Sequence, residues 1–241
     1  MAESEPLARD VVNKAGRRLD RDDPDLYRSW VGPPQKYDLI AAMQFNVLTC
    51  LGLREDHRLL DIGCGSLRAG RLFIPYLLPG RYFGIEPERW LVEEGIDKEL
   101  GRDAARIKQP TFSYNDDFRL SVFDREFDFM VANSIFTHAP ARQIRTCLSE
   151  ARKVLKPDGT LAATYSPQET NYEGDDWTKR AGYQPAYMAA LVEEAGLESA
   201  TLDWPHPNPH QRWLLICHGG AAERASTVRA PRGQKVPGPA A

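Results

Sequence analysis

The sequence predicts an α/β fold, a doubly wound and mostly parallel sheet of seven strands closed by an antiparallel hairpin. Three observations carry this reading. Apolar runs of strand length alternate with segments of helical period between positions 37 and 196, the order of successive β-α-β units. The first strand runs into a glycine-rich turn that opens a helix, "LLDIGCGSLRAG" (59–70). The last two apolar runs, "LESATLDW" (197–204) and "QRWLLICH" (211–218), have no helix between them, so they pair antiparallel.

The elements follow in order. "YDLIAAMQFNVLTCLGL" (37–53) has helical spacing and ends at a glycine. "RLLDIG" (58–63) is a short buried strand, and "LRAGRLFIPYLL" (67–78) a helix stopped at Pro79 and Gly80. "RYFGIE" (81–86) is a strand and "ERWLVEEGIDKEL" (88–100) a helix. "PTFSYN" (110–115), "FDFMVAN" (127–133) and "GTLAATYS" (159–166) are further strands. "ARQIRTCLSEARKVLK" (141–156) is amphipathic and ends at Pro157, Asp158 and Gly159, and "PAYMAALVEEAG" (185–196) is the next helix.

The chain has 241 residues, 42% hydrophobic and 27% charged, which suits one domain with a proper core. We assign that domain, with its N-terminal cap helices, to 24–218. Residues 1–23 are polar and read as a loose helix or partly disordered; 219–241 are rich in Ala, Gly and Pro and read as a disordered tail. With 31 basic and 34 acidic residues the net charge is −3, which argues against nucleic acid or an anionic membrane as partner. There is no membrane-length apolar run and no secretory signal, so a cytoplasmic protein is expected. Four scattered cysteines, none in a C-x-x-C pair, read as buried free thiols.

The glycine turn decides the ligand class. A dinucleotide fold wants G-x-G-x-x-G, but Arg68 stands at the third glycine. A P-loop wants G-x-x-x-x-G-K-[ST]; Gly65 and Gly70 fit, yet Arg71 and Leu72 follow, so neither the phosphate-wrapping lysine nor the metal-binding hydroxyl is present. Both phosphate readings fail where their chemistry lies.

A third template fits. "LLDIGCGS" resembles the first motif of the class I S-adenosylmethionine-dependent methyltransferases, an apolar strand followed by D/E-x-G-x-G. "YFGIEP" (82–87), "SYNDDF" (113–118), "FDFMVANSIFTHAP" (127–140) and "ARKVLKPDGTLAATYS" (151–166) resemble the later motifs in the expected order. The resemblance implies a Rossmann-like sheet of order 3-2-1-4-5-7-6, with S-adenosylmethionine as cofactor and S-adenosylhomocysteine as product. Gly63, Cys64 and Gly65 then form the close-approach turn, and Glu86 accepts both ribose hydroxyls. Asp61 orients the turn or reaches the methionine amino group. Asp116 or Asp117 meets the adenine amino group, and Asn133 and Ser134 line the methionine end. Arg68 either meets the cofactor's carboxylate or lies solvated on the helix surface.

The acceptor is less legible, because alignment supplies much of the catalysis and a base is needed only where the acceptor loses a proton. His138 and His206 are the candidate bases. The loop 166–185 reads as a substrate lid carrying Asn171, Tyr172 and Trp177, with Tyr165 just before it. Tyr27, Trp30 and Tyr37 either cover the ligands or pack on the sheet edge. His206 and His210 are four apart, but no cysteine or carboxylate is spaced to complete a metal site, so no metal is expected. The expectation is a small-molecule acceptor, O- or N-methylated, and a monomer or homodimer. An inactive cofactor-binding regulator, or an enzyme using the cofactor for another reaction, stays open beside it.

Overall fold

A computed structural model describes residues 10–12 and 18–228. Seven strands form one sheet: β1 (Leu59–Ile62), β2 (Tyr82–Ile85), β3 (Thr111–Ser113), β4 (Phe127–Ala132), β5 (Leu155–Tyr165), β6 (Glu198–Leu202) and β7 (Arg212–Cys217). Their spatial order is β3-β2-β1-β4-β5-β7-β6, as expected. All pairings through β5 are parallel, while β7 runs antiparallel to both β5 and β6. Strand order reverses between β1 and β4, which leaves a crevice at the carboxyl ends of the strands where this class of sheet binds ligands.

The helices are α1 (Leu26–Trp30), α2 (Tyr37–Cys50), α3 (Gly70–Tyr76), α4 (Arg89–Gly95), α5 (Arg102–Lys108), α6 (Ala141–Val154), α7 (Pro185–Glu194) and α8 (Ala221–Thr227). They cover both sheet faces and divide the core in two. Met130, Phe136, Leu148 and Leu191 belong to one half; Leu48, Leu59, Phe73 and Trp213 to the other. In α6 the buried residues Ile144, Cys147, Leu148, Ala151 and Val154 fall three or four apart, so one stripe faces the sheet. Burying Ile144 or Leu148 contributes about 2 kcal/mol each, against tenths for intrinsic helix propensity, so packing decides that this segment is helical.

Several boundaries differ from expectation. Helix α3 starts at Gly70, because the glycine turn continues through Ala69, and it ends where Leu77 turns extended. The 88–100 helix loosens after Gly95 into a π-type turn (Ile96–Leu100). Helix α5 is charged on every side and carries no periodicity to predict it. Within the polar N-terminal segment, Asp10–Val12 pairs antiparallel with Arg18–Asp20, where a loose helix or disorder was expected. Cys50 is exposed, unlike the three other thiols.

The expected tail is corrected as well. Residues 221–227 are helical, with Ala221 buried and Val228 packed in the second core half. Glu198 accepts the N–H of Gly220 at 2.8 Å, and Arg224 donates to the Asp158 carbonyl at 2.7 Å. Alanine-rich sequence hides this docking because its small side chains bury little area each. Residues 229–241 lie outside the described residues. Removal of 221–241 is therefore expected to cost about 2–4 kcal/mol, from the burial of Ala221 and Val228 and the bonds of Arg224, and to lower the melting temperature below that of a chain lacking only 229–241. Equal melting temperatures for both truncations would show α8 undocked.

Candidate active site

The site begins with the turn after β1. Gly63 and Gly65 take φ of +74° and +55°, and a Cβ at Gly63 would stand 2.2 Å from Ile135 Cδ1, so glycine is required. Leu67 also has positive φ, +57°, held there by complete burial. The N–H groups of Gly63 and Cys64 both donate to the Ile85 carbonyl, at 2.8 and 3.0 Å, which latches the turn to β2. Glu86, just past β2, accepts Gly65 N–H at 3.0 Å on Oε2 and Glu88 N–H at 3.0 Å on Oε1. Tyr37 of α2 donates its hydroxyl to the Ser66 carbonyl at 2.9 Å and so pins the turn from above.

This turn forms one wall of a cavity of about 620 Å³ at the carboxyl ends of β1, β2 and β4. Three charged side chains line its inner half, Asp61, Arg68 and Glu86, all buried. Burial pushes the Asp61 carboxyl up to about 6, although the Tyr82 hydroxyl donates to it at 2.8 Å and Arg68 stands near. Burial likewise pushes the Arg68 guanidinium down, to about 10. Arg68 donates Nη1 to the Val31 carbonyl at 3.1 Å, but its buried Nε has no partner. An orphaned cationic donor beside a desolvated carboxylate is costly in the free protein. A ligand presenting a carboxylate to Arg68, an ammonium to Asp61 and hydroxyls to Glu86 would offset both.

The outer half is built from β4, the loop after β5, and the β6–β7 hairpin. Ser134, at φ +63°, donates its N–H to Thr164 Oγ1 at 2.7 Å, and Gln211 Oε1 accepts from Thr164 Oγ1 at 2.9 Å. His206 receives Asn208 N–H on Nδ1 at 2.9 Å and faces Asn133 Oδ1 through Nε2 at 3.2 Å. Both ring nitrogens are thus occupied, and burial pushes the imidazole down to about 4, so it is neutral at pH 7. His138 bonds the Lys179 carbonyl through Nδ1 at 3.2 Å, and burial lowers its pKa as well. Nδ1 carries the proton in that bond, which leaves the lone pair on Nε2.

Residues 60–161 match the family described as "Methyltransferase domain". An uncharacterized methyltransferase of Schizosaccharomyces pombe is 28% identical over 134 residues, 51% of this chain and 47% of that protein. Residues 60–161 are thus similar to a methyltransferase domain, and the resemblance read from the sequence motifs is borne out over that span. A sterol 24-C-methyltransferase of Neurospora crassa is 25% identical over 140 residues, 58% of this chain and 36% of that protein. The matches thus span less than half the length of either curated relative. The magnesium protoporphyrin IX methyltransferase of Synechocystis, solved with S-adenosylhomocysteine bound, superimposes with a TM-score of 0.60 at 16% identity, covering 81% of this chain and 93% of that one. That likeness carries the fold.

The cavity brings together Asp61, Gly63, Cys64, Gly65, Arg68, Glu86, Asn133, Ser134, His138 and Trp177 from among the predicted site residues. Trp30 also lines it, packed edge-on against Trp90 at 5.1 Å. Tyr27 and Tyr37 instead fasten the cap, Tyr27 through Glu99 at 2.8 Å.

Six predicted residues lie elsewhere. Asp116 and Asp117 are exposed and do not line the cavity, because β3 stops at Ser113 and Asp117 caps a turn by accepting Arg119 N–H at 3.1 Å. Tyr165 points into the core, 3% exposed. Asn171 accepts Gln184 N–H at 2.9 Å at the start of α7, and Tyr172 accepts Asp176 N–H at 3.0 Å. Both shape the lid from outside. His206 stands behind Asn133 and the cavity rather than in its lining.

Sequence reasoning missed Gln211, Gln44 and Arg180 as lining; residues 31–33, which also line it, belong to the 25–39 segment expected to cover the ligands or pack on the sheet edge. The prolines of "VGPP" (31–34) were the available signal for a rigid strap. Among the described residues no helix is long and apolar enough to cross a membrane, and no group of His, Cys, Asp and Glu could hold a metal.

Proposed function

We propose that this protein binds S-adenosylmethionine in the inner half of the cavity and methylates a small-molecule acceptor, at oxygen or nitrogen, in the outer half. The observation that carries the reading is the buried, unpartnered Arg68 Nε beside desolvated Asp61, in a turn that holds Glu86 at the neighbouring strand tip. A methionine zwitterion answers the first two groups, and a ribose diol answers the third. The bound cofactor supplies an activated methyl on a sulfonium. The chain's own work is to align the two partners, exclude water and receive a proton.

His138 Nε2 is the group for that proton, since the imidazole lines the cavity and burial keeps it neutral. His206 is a positioning residue, orienting Asn133 at the end of β4. Trp177 and the 31–33 strap supply the dry walls.

Calorimetry with S-adenosylhomocysteine tests the inner half. Glu86→Ala and Arg68→Gln are each expected to weaken binding by about 1–3 kcal/mol, roughly 5- to 150-fold, through loss of one charge-assisted bond. Unchanged affinity in both, with melting temperature preserved, would remove the cofactor from this crevice. Transfer of label from methyl-labelled cofactor to a panel of hydroxyl and amine acceptors then tests turnover. Tight binding with no transfer across the panel would favour a regulator.

A further inference from the structure

The charge in the cavity is unevenly divided. Both its carboxylates, Asp61 and Glu86, belong to the turn and the β2 tip. The outer wall presents His138, Trp177, Thr178, Arg180, Asn208 and His210, and none of these is acidic. The lid contains four carboxylates, Glu169, Glu173, Asp175 and Asp176, none of which lines the cavity, and the two nearest Arg180 in sequence are engaged. Asp175 is paired with Arg142 at 2.9 Å. Asp176 folds back on Thr178, accepting its N–H at 2.9 Å and its hydroxyl at 2.7 Å. Arg180 therefore stands at the cavity mouth with no ion pair among the described residues.

A second cation stands close by. Lys36 donates to the Pro207 carbonyl at 2.9 Å and to Asn208 Oδ1 at 3.1 Å, neither of them charged. These groups feel one another. Beyond the effect of burial, Arg180, Lys36 and His138 all push the His210 imidazole down. Arg180 also pushes down His138. A concave, partly dry site with one sign of charge and no counter-ion attracts the opposite sign, and a guanidinium with free donors receives a planar or tetrahedral oxyanion through paired bonds.

We infer that the methyl acceptor carries an anionic group, a carboxylate or phosphate, received by Arg180 at the mouth of the cavity. This rests on the assignment of the inner half to the cofactor, and it narrows the acceptor class. The anion lies away from the methylated atom, anchoring the acceptor while its hydroxyl or amine faces His138.

The test uses full-length protein saturated with S-adenosylhomocysteine and titrated calorimetrically with benzoate, phenyl phosphate and inorganic phosphate, and with the neutral isosteres benzamide and phenol. At least one anion is expected to bind measurably, more weakly as salt rises, with the neutral compounds at least about tenfold weaker. Arg180→Gln is expected to lose at least about tenfold in anion affinity, and Arg180→Lys to recover part of it, while both keep the wild-type affinity for S-adenosylhomocysteine. Benzoate against phenyl phosphate separates carboxylate from phosphate. No anion bound, equal binding of anions and neutral isosteres, or undiminished binding in Arg180→Gln would each overturn the inference. Failure of S-adenosylhomocysteine to bind would instead overturn the cofactor assignment beneath it.

Discussion

Asp61→Asn is expected to make the free protein more stable at neutral pH and, in the same molecule, to weaken its hold on S-adenosylhomocysteine. The carboxyl sits at about 6 in the folded chain against an ordinary 3.8, so between those values the folded state holds a proton that the unfolded state has released. Stability therefore falls as pH rises through that window, and the whole cost is present above pH 6. Two units at about 1.4 kcal/mol each give a cost of roughly 3 kcal/mol. The attraction of Arg68 and the Tyr82 hydrogen bond are already included in that balance. Asparagine keeps an oxygen for the Tyr82 hydroxyl and never ionises. Its melting curve is expected to lie above wild type at pH 7, and the two to converge near pH 4. Ligand affinity goes the other way. A charged Asp61 is what an ammonium group needs, so wild-type affinity rises through pH 6, and the variant loses both that rise and at least about tenfold in affinity. Wild-type stability that increased from pH 4 to 6 would show that Asp61 is not desolvated.

The opposition between stability and binding proposed at this one residue explains why the lining of the inner half of the cavity was legible in the sequence. An acid inside an otherwise apolar strand, just before two glycines, is a poor choice for folding and a good one for holding a charged ligand. Glu86 was legible for the same reason, at the next strand tip. Strand order was legible too, since apolar runs alternate with helices and the last connection is too short for a helix.

The outer half was not, and the reasons are local. Gln211 and Arg180 sit in segments without period, so nothing in their spacing tells which side faces inward. Asp116 and Asp117 were misplaced because Phe118 takes a left-handed conformation, φ +57°, and a single such residue redirects a short loop. Tyr165 ends a strand whose last seven residues are all buried, so alternation could not show which face it takes. His206 looked like a base by type; only its two bonded nitrogens show otherwise.

A combined loss of stability and binding is expected from Gly95→Ala, at a residue that does not line the cavity. Helix propensity alone predicts a gain, because alanine is favoured over glycine in a helix interior by about 1 kcal/mol. Packing predicts the reverse. A Cβ on Gly95 would stand 2.5 Å from the Ser66 carbonyl oxygen and 2.6 Å from its carbon, and those are backbone atoms of the glycine turn, unable to swing aside as a side-chain tip would. Either α4 withdraws or the turn moves. If the turn moves, the Tyr37 bond to Ser66 is lost, Leu67 leaves the buried position that holds its positive φ, and Arg68 shifts with it. Overpacking of this kind costs about 1–3 kcal/mol and the broken buried bond about 1 more, which outweighs the propensity gain. Net destabilisation of about 1–3 kcal/mol is expected by denaturant titration, together with at least a tenfold loss of S-adenosylhomocysteine affinity by calorimetry. The pairing of the two losses is the diagnostic result, since a helix that merely frayed would lower stability and leave the ligand bound. A variant more stable than wild type would mean that α4 does not press on the turn, and that the cofactor loop is held from β2 and α2 alone.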